Sequence, residues 1–352
     1  EIGCPGDCAV FLEGCSLRGS AGAPSEANVE ALGLWYGHGL VRKLLVGGGP
    51  GAEDDGMAFL ESSLSGMISQ HQLVLRLGCL ESVQRCKDWQ ELRKASTPGR
   101  APPLTPEGAS ALLDGRRFVT PALREAAKRC YRTAFDSAAA GCQRLVFACL
   151  GWGDEELRTL ATALPRFPRL AELFLEGNCV GDVGAGILAG VLPHCPALKE
   201  VLLARNRIGD AGAEQLARAL PQAPRIERLE LHGNALGEAA AASLARALPS
   251  SRCLKDLLLQ GNRLGEAGVK ALAAALPSSY LERLVLDDTG AGDAAAAALQ
   301  EAIAKCPRLQ LLHLEKNGLS EASRKAMREA WRAAGKPERS NLNGKDYPAL
   351  ML

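Results

Sequence analysis

No stretch of 18 apolar residues occurs in this 352-residue chain, which excludes a transmembrane helix. The chain starts at Glu1 without Met and shows no charged-then-apolar leader, as expected of either a removed targeting segment or a truncated chain. Its net charge of +1 gives no bulk electrostatic case for nucleic acid or an anionic membrane. The five histidines are scattered, at His38, His71, His194, His232 and His313, and none has metal-ligand or triad spacing. No Gly-x-Ser-x-Gly, His-Glu-x-x-His or deaminase signature appears. With no catalytic, cofactor or metal residue to name, the expectation is a non-enzymatic protein.

Two local patterns imitate chemistry. Gly47-Gly48-Gly49-Pro50-Gly51 follows an apolar run as a phosphate loop would, but Glu53, Asp54 and Asp55 stand where that loop needs Gly-Lys-Ser/Thr. Acids there would repel a phosphate, so a turn is the expectation. Cys4, Cys8 and Cys15 cluster without a fourth ligand nearby, which argues against zinc and leaves a local disulfide or free thiols. The other cysteines, among them Cys142, Cys149, Cys179, Cys195, Cys253 and Cys306, are scattered. Cys195 and Cys306 each precede a proline at one repeated position, as packing residues do. A reducing, intracellular compartment is the simpler account, cytoplasmic or else an organelle after removal of a targeting segment.

What is present is a period. Leu170-x-x-Leu173-x-Leu175-x-x-Asn178 is rewritten from Leu198 to Asn206, Ile226 to Asn234, Leu254 to Asn262, Leu281 to Thr289 and Leu309 to Asn317. The Asn positions fall 28 apart from 178 to 262, then 27 to Thr289 and 28 to Asn317. Apolar alternation predicts a short strand, after which the Asn side chain bonds backbone where the strand turns away. A Gly-acid turn follows, as at Gly181-Asp182 and Gly209-Asp210, and the acid is expected to cap the helix that begins there. A Leu-Ala-x-x-Leu helix is then stopped by Pro165, Pro193, Pro221, Pro249 or Pro277. Strands prefer a spacing of about 4.8 Å and packed helices roughly 8–10 Å, so stacking such units curves the array.

These residues resemble the ribonuclease-inhibitor-like class of leucine-rich repeats, over residues 142–334. The resemblance implies an α/β horseshoe solenoid with parallel strands on the concave face and helices on the convex one. A seventh copy without the Asn is read from Cys142 through Leu145, Phe147 and Leu150 to Pro165. Residues 1–33 are an irregular N-terminal segment. Residues 34–79 read as degenerate repeats or an N-terminal cap, with Leu73 and Leu75 laid on Leu229 and Leu231. Residues 80–141 break the period as an insertion or a flanking helical subdomain, with a helix expected from Pro121 through Phe135. The C-terminal tail, 335–352, is polar and expected to be loosely held, although its final segment from Tyr347 offers a docking sequence.

Charge is uneven at this level. Residues 1–79 carry 4 Lys/Arg and 9 Asp/Glu, residues 80–141 carry 11 and 7, and the two segments either attract one another or are ordinary solvated surface.

In such an array the residues between the leucines face the inner side. The central column reads Val146, Phe174, Leu202, Glu230, Leu258, Val285, His313, mostly apolar where solvent is expected. Polar columns flank it, with Arg144, Glu172, Glu200, Arg228, Asp256 and Arg283 on one side. Glu176, His232, Gln260, Asp287 and Glu315 form the other. An apolar core with a polar rim is the layout of a protein-contact surface. The expected partner-binding residues are Phe174, Leu202, Glu230, Leu258, Val285, His313, Arg228, Glu176 and His232. Two other accounts stay open: strand packing preference, and residues 80–141 folding over the stripe.

The expected function is a protein-interaction module or scaffold, one subunit of a larger complex, binding another protein with neither nucleic acid nor membrane insertion. One alternative is a regulator of a small GTPase or an inhibitor of a nuclease, because the repeats also resemble those of Ran GTPase-activating proteins. Those end in a strongly acidic tail, whereas residues 335–352 hold three basic and two acidic groups. The other alternative is an enzyme with an unrecognised site in residues 1–141.

Overall fold

The computed structural model describes residues 54–67, 100–342 and 344–352, with the backbone of two strands at Lys43–Leu45 (β1) and Val74–Arg76 (β2). The expectations for residues 1–33, the glycine turn at 47–51 and Cys4, Cys8 and Cys15 lie outside the described residues. The chain divides into two compact units, residues 1–142 and 143–352.

In the first unit β1 and β2 pair in parallel, and helix α1 (Gly56–Gly66) lies between them in sequence. Asp55 starts α1 by accepting the Met57 N–H at 2.8 Å. Helices α2 (Pro106–Asp114) and α3 (Pro121–Gly141) begin alike, with a Thr cap and Pro at the first helical position. Helix α3 runs one and a half turns past the Phe135 end expected for it, and it buries Leu123, Ala126, Ala127, Tyr131 and Phe135.

The second unit is a solenoid. Its sheet has seven successive parallel strands: β3 (Arg144–Val146), β4 (Glu172–Phe174), β5 (Glu200–Leu202), β6 (Arg228–Glu230), β7 (Asp256–Leu258), β8 (Arg283–Val285) and β9 (Leu311–His313). After each strand comes a helix: α4 (Asp154–Ala163), α5 (Asp182–Val191), α6 (Asp210–Ala219), α7 (Glu238–Ala247), α8 (Gly265–Ala275), α9 (Asp293–Ile303) and α10 (Glu321–Ala333). The recurring Leu, Val and Ile positions of the strand motif are buried in every copy. Helices α4 to α8 each run into a Leu-Pro-x 3₁₀ turn, so the proline sits where the α-helical ladder has already ended.

Two side-chain ladders join successive repeats in opposite directions. Asn206 reaches back: its Nδ2 donates to Leu175 O and Leu203 O, at 2.9 and 3.0 Å, and its Oδ1 accepts the Val180 N–H at 3.0 Å. Asn178, Asn234, Asn262 and Asn317 do the same one repeat away. Thr289 keeps only a local bond, from its hydroxyl to Leu286 O at 2.7 Å, beside a longer one to Asn317.

The acids reach forward, which corrects the expectation that each caps its own helix. Asp182 Oδ1 accepts the N–H groups of Gly209 and Gly212 at 2.7 and 2.9 Å, the cap and first turn of the next helix. Asp210 does this for Gly237 and Ala240, and Asp154 for Gly181. An acid at the first helical position sits beside its neighbour's helix start, so it meets that neighbour's free donors instead of its own. A Cβ at Gly212 would stand 2.7 Å from Asp182 Oδ1, although Ala240 holds the equivalent place beside Asp210 in the next repeat.

The final residues form strands where a loose tail was expected, and the segment from Tyr347 offered for docking takes part in them. Strands β10 (Arg339–Leu342) and β11 (Lys345–Pro348) form an antiparallel hairpin. Strand β12 (Leu350–Met351) then adds to the sheet in parallel beside β9. The physical reason is the open edge of β9: Leu312 N–H donates to Ala349 O and Leu314 N–H to Met351 O, both at 2.8 Å. Trp331 Nε1 donates to Pro337 O at 2.8 Å and fixes the turn into the tail. Among the described residues no helix is long and apolar enough to cross a membrane.

Candidate functional site

Strand register places the central column as the sequence laid it out. Val146, Phe174, Leu202, Glu230, Leu258, Val285 and His313 are consecutive partners across the sheet, and Met351 extends the row. Their burial is not uniform. Val146 and Phe174 are half-buried, whereas Leu202, Glu230, Leu258, Val285 and His313 are all buried, against the expectation of an exposed stripe.

The cover over the far end of the row is the chain's own tail. Leu342 packs with Leu258, Val285 and Leu311, and Tyr347 lies against the same cluster. The His313 ring meets Tyr347 edge-on at 6.1 Å. Its Nε2–H donates to Pro348 O at 3.0 Å, which selects that tautomer. The sequence points to residues 80–141 as a possible cover and not to Leu342. The signal for it was Asn343-Gly344 between two short alternating runs, the pattern of a two-residue hairpin turn.

The other end of the row is different in character. The Arg144 guanidinium lies over the Phe174 ring, 5.4 Å from its centroid, and its Nε donates to Glu172 at 2.5 Å. Glu200 comes next on that flank, 3.5 Å from Arg228. Arg228 is committed to the sheet, because it bonds the buried carboxylate of Asp256 at 2.8 Å while Arg283 holds the other oxygen at 2.5 Å. Asp256 thus sits between two guanidiniums, as a buried carboxylate requires.

On the opposite flank, burial raises the Glu176 carboxyl above its usual range, and it raises Asp287 against the opposing bond from Glu315 N–H. Burial, with the charge of Arg205 second, lowers the pKa of His232. Its Nδ1 stands 3.8 Å from Glu230 Oε2. That is beyond hydrogen-bond reach, and burial favours the uncharged ring, so the two do not form an ion pair near neutrality. Among the described residues no group of three or more His, Cys, Asp or Glu is placed to hold a metal ion.

The arrangement brings together Phe174, Leu202, Glu230 and Arg228 on adjacent strands, with Glu176 and His232 alongside. Leu258, Val285 and His313 continue the same row, and they differ in lying against the hairpin. What such a surface offers is contact and charge, with no nucleophile–base pair among these residues.

A leucine-rich-repeat family model matches residues 194–217 and 250–273. A search of curated proteins finds no match. Among solved structures, similarity extends to the leiomodin-1 actin-binding site 2, at 18% identity and a TM-score of 0.36, over 41% of this chain and 86% of that one. It extends also to an internalin (inlF) from Listeria monocytogenes str. 4b F2365, at 15% identity and a TM-score of 0.33, over 55% of this chain and 60% of that one. The parallel sheet with one helix after each strand, together with the two matched segments, gives the second unit the fold of a leucine-rich-repeat solenoid.

Proposed function

We propose that this protein is a non-enzymatic interaction module that binds another protein through the inner face of its first repeats. The observation that carries the reading is Phe174, half-buried on the sheet with Arg144 over its ring and carboxylates on both flanks. An aromatic anchor beside arginine and within a polar rim has the composition of an interface hot spot. We assign the repeats to the ribonuclease-inhibitor-like class on their 28-residue period and full helix per repeat. A reducing, cytoplasmic setting belongs to the same reading, supported by Cys149, Cys179, Cys195, Cys253 and Cys306, none of which forms a disulfide. The role is that of one component in a larger assembly.

The test is affinity capture from extract with the intact chain, Phe174→Asp and the outer-face control Arg218→Glu, followed by titration of the captured protein. Arg218 is exposed and paired with Glu214 on its own helix. Phe174→Asp is expected to weaken binding by about 2 kcal/mol, the scale of an interface hot spot. Leu202 is 7% exposed, so an Asp there would perturb folding and is avoided. If Phe174→Asp binds as the parent does while Arg218→Glu fails, the partner lies on the helical face and the proposal is wrong.

A further inference from the structure

The tail does two separable things. Residues 349–352 complete the sheet: Ala349 is fully buried, its carbonyl and that of Met351 accept from β9, and Arg324 Nη1 donates to Leu352 O at 3.2 Å. The hairpin of 339–348 is a detour from that path. Its base is closed by the Ala349 N–H donating to Glu338 O at 2.8 Å, so the chain leaves and re-enters the cap at one point. Most of the hairpin is solvent-facing: Arg339, Asn341, Lys345, Asp346 and Pro348 are exposed, and the Arg339–Asp346 ion pair is open to water. Leu342, Tyr347 and the His313–Pro348 bond hold it to the inner face, and Ser340 is buried on the Leu342 side of its strand.

We propose that the hairpin of residues 339–348 is a removable occupant of the inner face, filling in cis a site built for a ligand of the same kind. That site is the Leu258–Val285 pair with Leu311, which takes an aliphatic and an aromatic side chain, and His313 Nε2, which takes a backbone carbonyl. Its ligand is therefore a hairpin or extended segment of a partner protein presenting those three groups. The sequence already marks this stretch as part of an apolar contact row, and the hairpin covers only that part of it. Side chains and one hydrogen bond hold the hairpin, whereas backbone bonds to β9 and the fully buried Ala349 hold the cap, so the hairpin opens while the cap stays closed. The identity of the ligand as a partner's segment rests on the inner face being a partner surface. The occupancy itself does not.

The test needs no partner. In one variant, residues 339–348 are replaced by three glycines, which span the hydrogen-bonded ends at Glu338 and Ala349. The probe is a fluorescent peptide of residues 338–349, cyclised head to tail, titrated by anisotropy into the intact and excised chains. The excised chain is expected to keep its circular dichroism and to bind the peptide saturably. The intact chain should bind at least about tenfold more weakly, since its own hairpin competes. A peptide with Leu342→Ser and Tyr347→Ser should not bind. Failure of the peptide to bind a folded, excised chain overturns the proposal, as does equal binding to both chains.

Loss of folding on excision would make the hairpin structural and overturn the proposal too. Hydrogen exchange on the intact chain decides independently of any variant. Amides of the hairpin strands are expected to exchange roughly a hundredfold faster than those of Leu312 and Leu314, through local opening. Equal protection would mean that hairpin and cap open as one, and the proposal would fall. An unchanged capture by Phe174→Asp would refute the partner surface and leave these results standing.

Discussion

Asn262→Ala tests the backward ladder at its most regular rung. Asn262 is 2% exposed and makes four bonds. Its Nδ2 donates to Leu231 O and Leu259 O at 2.9 and 2.8 Å, and its Oδ1 accepts from Asn234 N–H and Leu236 N–H at 3.1 and 3.2 Å. Truncation strips the Leu259 carbonyl and the Asn234 and Leu236 N–H groups of their side-chain partner, while Leu231 O keeps its bond from Asn234 Nδ2 at 2.9 Å. At about 0.5–1.5 kcal/mol net per bond the loss is roughly 2–6 kcal/mol, and we expect the middle of that range. Asn262→Thr, which copies the natural Thr289, keeps the bond to its own repeat and should cost about a quarter less, in proportion to bonds kept.

The assay is urea denaturation followed by far-ultraviolet circular dichroism, with free energies from linear extrapolation. Because repeats are coupled only to their neighbours, a fall in the slope with denaturant would mark the array parting at this rung. A loss below about 1 kcal/mol with an unchanged slope would refute the reasoning, since four hydrogen bonds, three of them the side-chain partner of a backbone group left without another, cannot be lost so cheaply.

Two further outcomes follow from titratable groups. Burial lowers the folded-state pKa of His232, so its stabilising contribution is present above the unfolded value of about 6.5 and is lost as pH falls below it. Denaturation from pH 7 to pH 5 should show a decline that is shallower in His232→Gln, and parallel curves for the two proteins would refute the shift. Burial pushes the Cys195 and Cys306 thiols up to about 11, while Cys149 is exposed. A thiol reagent should therefore modify Cys149 first and reach Cys195 and Cys306 only on unfolding. Equal native rates for the three would contradict their burial.

The strands, their register and the existence of the Asn ladder were legible because each is written many times. Leu231, Leu259 and Leu286 announce themselves by recurrence, and so does the row from Val146 to His313. The direction in which Asp182 points was not legible. Periodicity is the same whether an acid serves its own helix or the next, and only the stacking distance decides. The cover over Val285 escaped for the opposite reason: Leu342 and Tyr347 occur once, outside any period, and their destination depends on where the open edge of β9 receives Ala349. The expected exposure of the column failed at that end for this cause.

The two ladders also say something about how such a chain changes length. Asn206 belongs to one repeat but completes the one before it, and Asp182 belongs to one repeat but completes the one after. No single repeat is therefore a self-sufficient piece, and a cut anywhere strands polar groups on both sides of the seam. Copying one whole 28-residue period in register creates no such seam, because every new Asn and Asp finds a client in the adjoining copy. The 27-residue step that ends at Thr289 instead keeps the reading frame of the array but drops a rung from it. Growth and loss by whole periods are thus built into the bonding scheme, and breakage between periods is what it resists.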